Sequence, residues 1–141
     1  MRSRVSDAPV LVAWGESTGQ PVGARGHVMA VHEPMIATYE SSSDVSVLRF
    51  TDLESGRVIV AGDPGRGRWS QLFGSFSPDG HTFAIGVETG RGVGAPGGLA
   101  LIDVATGAVR LVAGQPKIWI STPVWSADSA WMVFNGTRCR A

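Results

Sequence analysis

One phrase occurs twice in this chain, and it constrains the fold more than any other feature. It reads Phe76-Ser77-Pro78-Asp79-Gly80-His81-Thr82-Phe83-Ala84-Ile85 and returns, altered, as Trp125-Ser126-Ala127-Asp128-Ser129-Ala130-Trp131-Met132-Val133-Phe134. The copies begin roughly 50 residues apart, a self-similarity that marks an array of supersecondary units. A second element recurs beside it: a strand, a turn ending in Gly, and an answering strand. It appears as Leu99 to Val104, Ala105-Thr106-Gly107, Ala108 to Val112, and again as Val45 to Leu53, Glu54-Ser55-Gly56, Arg57 to Ala61. Asp103 and Asp52 each stand four residues before the glycine, where a short carboxylate accepts backbone hydrogen bonds inside the turn while Gly supplies a positive φ. A third copy opens the chain, Val10 to Trp14, Glu16-Ser17-Thr18-Gly19, Gln20 to Val22, with Gly15 in place of the aspartate.

In order, these elements form a cycle of four strands, A to D, with A and B flanking the Ser-Pro-Asp-Gly turn and C and D forming the Asp-x-x-x-Gly hairpin. One complete unit places A near Leu72 to Ser77, B at Thr82 to Glu88, C at Leu99 to Val104 and D at Ala108 to Val112. The unit before it places A near His27 to Val31, B at Met35 to Glu40, C at Val45 to Thr51 and D at Arg57 to Ala61. Its A–B turn, His32-Glu33-Pro34, is shorter and lacks the Asp-Gly pair. The 19 glycines and 8 prolines cluster between the apolar runs, as short strands joined by tight turns require, and they exclude long helices almost everywhere.

An aromatic residue before Ser-Pro-Asp-Gly, an apolar strand after it, and a hairpin reading Leu-Ala-Leu-Ile-Asp-Val-Ala-Thr-Gly resemble the blade repeat of TolB-like β-propellers, a repeat also found in the propellers of prolyl-oligopeptidase-type peptidases. The resemblance is good from Leu72 to Phe134, moderate from Met35 to Ala61 and weak before that. It implies an all-β fold, an incomplete β-propeller of four-stranded antiparallel blades in one domain over residues 1–141: a half blade at 8–23, blades at 27–61 and 71–113, and a half blade at 121–135. Physics gives the same expectation. A four-stranded sheet buries both faces only when another sheet stacks on each side, so blades come in rings. Phe76 and Trp125 are then wedged between neighbouring blades, with Phe83, Ile85, Met132 and Phe134 packing beside them.

The chain holds about three blades, whereas propellers typically need about four to eight. The expectation is a fragment of a longer propeller protein. A second expectation follows from the complementary ends: two chains sharing their half blades would close a six-bladed homodimeric ring.

Several motifs look like chemistry. Gly15-Glu16-Ser17-Thr18-Gly19 matches G-x-S-x-G, but Gln20-Pro21-Val22-Gly23 does not open the helix a nucleophile elbow needs, so a hairpin turn is expected. Gly92-Val93-Gly94-Ala95-Pro96-Gly97 matches the dinucleotide fingerprint but runs into a strand, and reads as a B-to-C loop. His27, His32 and His81 with the single Cys139 lack metal-ligand spacing; His81 is expected to be solvated. Asp79 and Asp128 are expected to accept backbone hydrogen bonds in their turns. Arg66, Arg68 and Trp69 read as a loop before strand A that either anchors a partner or is simply solvated. Asn135-Gly136-Thr137 satisfies a glycosylation sequon, yet Asn-Gly is equally a tight hairpin turn, and the turn suffices.

No catalytic, cofactor-binding or metal-binding residue is therefore assigned. With 12 basic and 12 acidic residues spread along the chain, no basic stripe for nucleic acid is expected. A composition of 43% hydrophobic and 17% charged residues is that of a soluble globular domain, and the run Val10 to Trp14 is too short for a signal-peptide core or a membrane span. The compartment is left open. The leading expectation is a non-enzymatic propeller module that binds a protein or peptide. The alternative is the gating propeller of a prolyl-oligopeptidase-type serine peptidase whose catalytic domain lies elsewhere. A sugar-binding propeller would need aromatic and acidic side chains converging in one channel, which no spacing here predicts.

Overall fold

The computed structural model describes residues 10–14, 21–41, 46–64, 68–88, 97–120, 123–133 and 136–138. Among them every regular element is a strand, and every strand pair is antiparallel. β1 (Val10–Trp14) pairs with β2 (Pro21–Arg25). β3 (His27–His32), β4 (Met35–Ser41), β5 (Ser46–Asp52) and β6 (Val58–Val60) form a four-stranded sheet in sequence order. β7 (Arg68–Phe76), β8 (Thr82–Glu88), β9 (Gly97–Asp103) and β10 (Val109–Ile120) repeat that order in a second sheet. β11 (Val124–Trp125) pairs with β12 (Met132–Val133), and β13 (Gly136–Arg138) returns to add a fifth strand beside β10.

The A to D strands expected at 27–61 and 72–112 are found as β3 to β6 and β7 to β10, and three expectations are corrected. β7 begins at Arg68, so Arg68 and Trp69 are not loop residues. They pair with Glu88 and Val87, and Trp69 is buried in the core, its backbone N–H donating to Ser46 Oγ at 3.3 Å. The register shift between Trp69 and Gly74 divides the strand, which is why its first half reads as separate from the second. β10 does not stop at Val112 but continues to Ile120, shifting register between Ala113 and Ile118. Pro116 lies inside that shift, where its missing N–H leaves no ladder bond to make. Finally, Gly136 and Thr137 form no hairpin turn; they lie in β13, opposite Ile120 and Trp119.

The core lies between the two large sheets. In the first sheet Ala37 sits opposite Phe50, and Tyr39 opposite Leu48, so these four side chains share one face. In the second, Phe76 sits opposite Phe83, and Phe83 opposite Ile102. The two faces meet in one buried cluster, with Phe50, Phe83, Leu48, Ile85 and Ile102 all excluded from water. Phe50 of β5 reaches Phe83 edge-on with ring centroids 5.3 Å apart, Phe76 closes the triangle at 4.9 Å from Phe83 and 5.9 Å from Phe50, and β3 lies against β7. The opposite face of the second sheet carries Ala84 and Leu99, also fully buried, beneath Trp125 and Met132 of the β11–β12 hairpin. The second sheet is thus covered on both sides, with Phe76 and Trp125 at the two contacts; Phe134 lies outside the described residues.

The C–D hairpins use the expected device. Asp52 Oδ1 accepts from the N–H of Glu54 at 2.8 Å and of Ser55 at 3.1 Å, and Asp103 Oδ1 accepts from the N–H of Thr106 at 2.9 Å. Gly56 and Gly107 hold φ of 73° and 77°. Their surroundings differ. A Cβ on Gly56 would meet nothing within 4 Å, whereas one on Gly107 would lie 2.4 Å from the Val60 carbonyl oxygen, because the second hairpin abuts the first sheet and the Gly62 N–H donates to Gly107 O at 2.8 Å. Gly56→Ala is therefore expected to cost about 1 kcal/mol, the strain of a left-handed alanine, and Gly107→Ala at least about 2 kcal/mol more, because backbone must move. Urea unfolding of the two variants measures the difference, and equal losses would contradict this packing.

Candidate functional site

The A–B and C–D turns emerge at the same end of each sheet and are tied to each other. Leu53 N–H donates to Pro34 O at 2.9 Å in the first sheet, and Val104 N–H donates to His81 O at 3.0 Å in the second. Loop and turn ends carried by rigid strands are where binding groups concentrate, which makes this end the candidate site.

The repeated phrase builds the same turn twice. Ser77 Oγ donates to Asp79 Oδ1 at 2.6 Å and accepts from the Thr82 N–H at 3.0 Å, while the His81 N–H donates to the same carboxylate oxygen at 3.0 Å. In the second copy Ser126 Oγ donates to Asp128 Oδ1 at 2.5 Å and accepts from the Trp131 N–H at 2.9 Å, and the Ala130 N–H donates to Asp128 Oδ1 at 3.0 Å. Gly80, at φ 75°, is matched by Ser129 at φ 61°. The expected backbone acceptors Asp79 and Asp128 are in place, but the serine that joins each of them was not foreseen. A Ser two residues before an Asp that opens a turn is the sequence signal for it.

The turns of successive sheets are also linked in series. His32 Nε2 lies 2.6 Å from Pro78 O, its ring centroid is 6.0 Å from that of Phe76, and a Cβ on Gly80 would lie 2.8 Å from the imidazole. The Asp79 N–H in turn donates to Ser129 Oγ at 3.0 Å. Three consecutive A–B turns thus form one continuous belt, and His32, singled out in the sequence only as a histidine without ligand spacing, packs at its first joint. His81 is exposed, as expected.

Chemically, the belt holds carboxylates engaged in structure. The Ser77 hydroxyl, then the His81 N–H, holds the Asp79 carboxyl below the usual carboxylate range; the Ser126 hydroxyl, then the Ala130 N–H, does the same for Asp128, and the Ser55 N–H foremost for Asp52. Ser77 is itself buried, with its hydroxyl hydrogen directed at Asp79. These Ser–Asp pairs close turns; they do not present a nucleophile beside a base. Beside the belt, a cleft of about 470 Å³ lies between the β9–β10 face and the β11–β12 hairpin, lined among others by Leu101, Asp103, Arg110, Trp125 and Ala130.

The G-x-S-x-G segment 15–19, residues 92–96 of the glycine-rich loop, Arg66, Asn135 and Cys139 lie outside the described residues; Gly97 opens β9. Among the described residues no group of three or more His, Cys, Asp or Glu is placed to hold a metal ion, and no helix is long and apolar enough to cross a membrane. No protein-family model matches the chain, and no match is found among curated proteins.

A carboxylate whose pKa is lower folded than unfolded contributes stability that is fully present above the ordinary value, about 4, and lost as pH falls through the lowered one. Acid unfolding is therefore expected to steepen below about pH 4, and Ser77→Ala is expected to bring the Asp79 carboxyl back toward the usual range while leaving Asp52 lowered. Carboxyl carbon NMR titration reads both groups. An unmoved Asp79 would refute the role given to Ser77.

Proposed function

We propose that this chain is a non-enzymatic β-propeller module of the TolB-like type, and that it binds a protein or peptide partner across the end of its sheets formed by the A–B and C–D turns. One observation carries the reading: two A-B-C-D sheets with the same C–D turn chemistry stack face to face with their A strands adjacent, and the A–B turns join in series through His32–Pro78 and Asp79–Ser129. Regular stacking of one unit on the next is how propellers bury sheets that are apolar on both faces. A belt of fixed turns presents many side chains at little ordering cost, which suits a partner larger than a metabolite. The carboxylates along it are held by their own turns, which favours recognition over acid–base chemistry.

Panning a random phage-displayed peptide library on the immobilised chain tests the proposal. Peptides are expected to enrich, and their affinity is expected to fall at least about tenfold on a chain carrying the exposed charge changes Glu54→Lys and His81→Asp, the scale of a lost interface anchor. Absence of enrichment over a bare matrix, or peptides that bind parent and variant equally, would overturn it.

A further inference from the structure

The stack carries an exposed apolar strip on each outer face, and the two match; on the first sheet the strip is confined to β3, since Ile36 and Thr38 of β4 on the same face are buried. On β3, Val31 sits opposite Ile36, and Val28 opposite Thr38, so the two valines share the face of the first sheet that points away from the second. Val31 is 57% exposed and Val28 44%. Aligned on the hairpin aspartates, whose strand B partners are Met35 and Thr82, Val31 opposite Ile36 corresponds to Phe76 opposite Phe83, and the last hairpin repeats that pair as Trp125 opposite Met132. Phe76 and Trp125 both pack against the sheet that precedes them, and Val31 shows the same position uncovered.

At the other end, Trp125 and Met132 face the second sheet, so their neighbours Val124 and Val133, paired with each other, face away, 65% and 69% exposed. Their counterparts in the first sheet are Ala30 and Ala37, which pack into the core against the second sheet. The contact between the first and second sheets is thus a template for a contact between the last hairpin and the exposed Val28–Val31 strip of β3. Within one chain these surfaces lie at opposite ends of the stack. Exposed contiguous apolar surface of this kind marks an interaction site.

Resting on the propeller reading, we propose that the occupant is a second copy of this chain. Two copies join head to tail, the Val124–Val133 face of each against the Val28–Val31 face of the other, so that two identical heterologous contacts close around a two-fold axis. In that arrangement the β1–β2 hairpin of one copy extends along β12 of the other, whose outer edge has no strand partner among the described residues. The cleft beside Leu101, Arg110 and Trp125 is the space the added strands fill. Between the two large sheets, Ile102 of β9 and Val109 of β10 belong to the same cluster as Phe50 and Ile59.

Sedimentation equilibrium of the full chain, with Val31→Asp, Val133→Asp and their equimolar mixture, tests this. The parent is expected at twice the chain mass. Each variant is expected to dimerise at least about a hundredfold more weakly, because a carboxylate is buried without a partner, and the mixture is expected to recover a dimer, since each variant keeps the surface the other has lost. A monomeric parent with a strand-type circular dichroism spectrum would overturn the inference and leave the stacked-sheet reading intact. So would an open series of polymers, or a variant that dimerises alone. A helical spectrum of the parent would overturn both.

Discussion

The ring contacts among Phe50, Phe76 and Phe83 hold the arrangement together. A twisted antiparallel sheet of four short strands has apolar residues on both faces here, and neither face is stable in water. Burying one phenylalanine contributes about 1.5–3 kcal/mol, and an edge-to-face partner adds about 0.5–1.5. Three such rings meeting across two sheets are enough to fix which face of the first sheet meets which face of the second. Once that is fixed, β3 lies against β7, the second C–D hairpin abuts Val60, and the turn ends align. The close approach of Gly107 to the Val60 carbonyl is a consequence of the aromatic contact, and it explains why one glycine of two in the same turn position is far less replaceable.

Alignment of the turn ends converts a packing solution into a surface. The turns at Asp52, Asp79, Asp103 and Asp128 each close on themselves through a carboxylate, a hydroxyl and two or three backbone N–H groups, so they keep their shape without help from their neighbours. The links between turns, His32 to Pro78 and Asp79 to Ser129, then set their spacing. Asp52, Asp79 and Asp128 are already engaged by hydrogen bonds within their own turns.

Much of this is readable from the residues because the informative signals are local. Asp52, Gly56, Asp103 and Gly107 specify a hairpin from within five residues, and the alternation in Met35 to Glu40 and Thr82 to Glu88 specifies strands with two apolar faces. Trp69 escapes the same reasoning because the strand that holds it breaks register before Gly74, so no continuous alternation announces it. β13 escapes because its pairing with Ile118 to Ile120 depends on where β10 leads after Pro116, a tertiary matter. The bond from Ser77 to Asp79 is legible in principle from spacing, while that from Asp79 to Ser129 spans some 50 residues and exists only because the sheets stack.

The stacking of the first sheet on the second is therefore the central claim, and aromatic proton NMR tests it most directly. With the phenylalanine rings selectively protonated in a deuterated chain, nuclear Overhauser effects are predicted between Phe50 and Phe83 and between Phe50 and Phe76, pairs on different sheets. Effects between Phe76 and Phe83 alone, which share one sheet, would mean that each sheet folds without the other and would contradict the account.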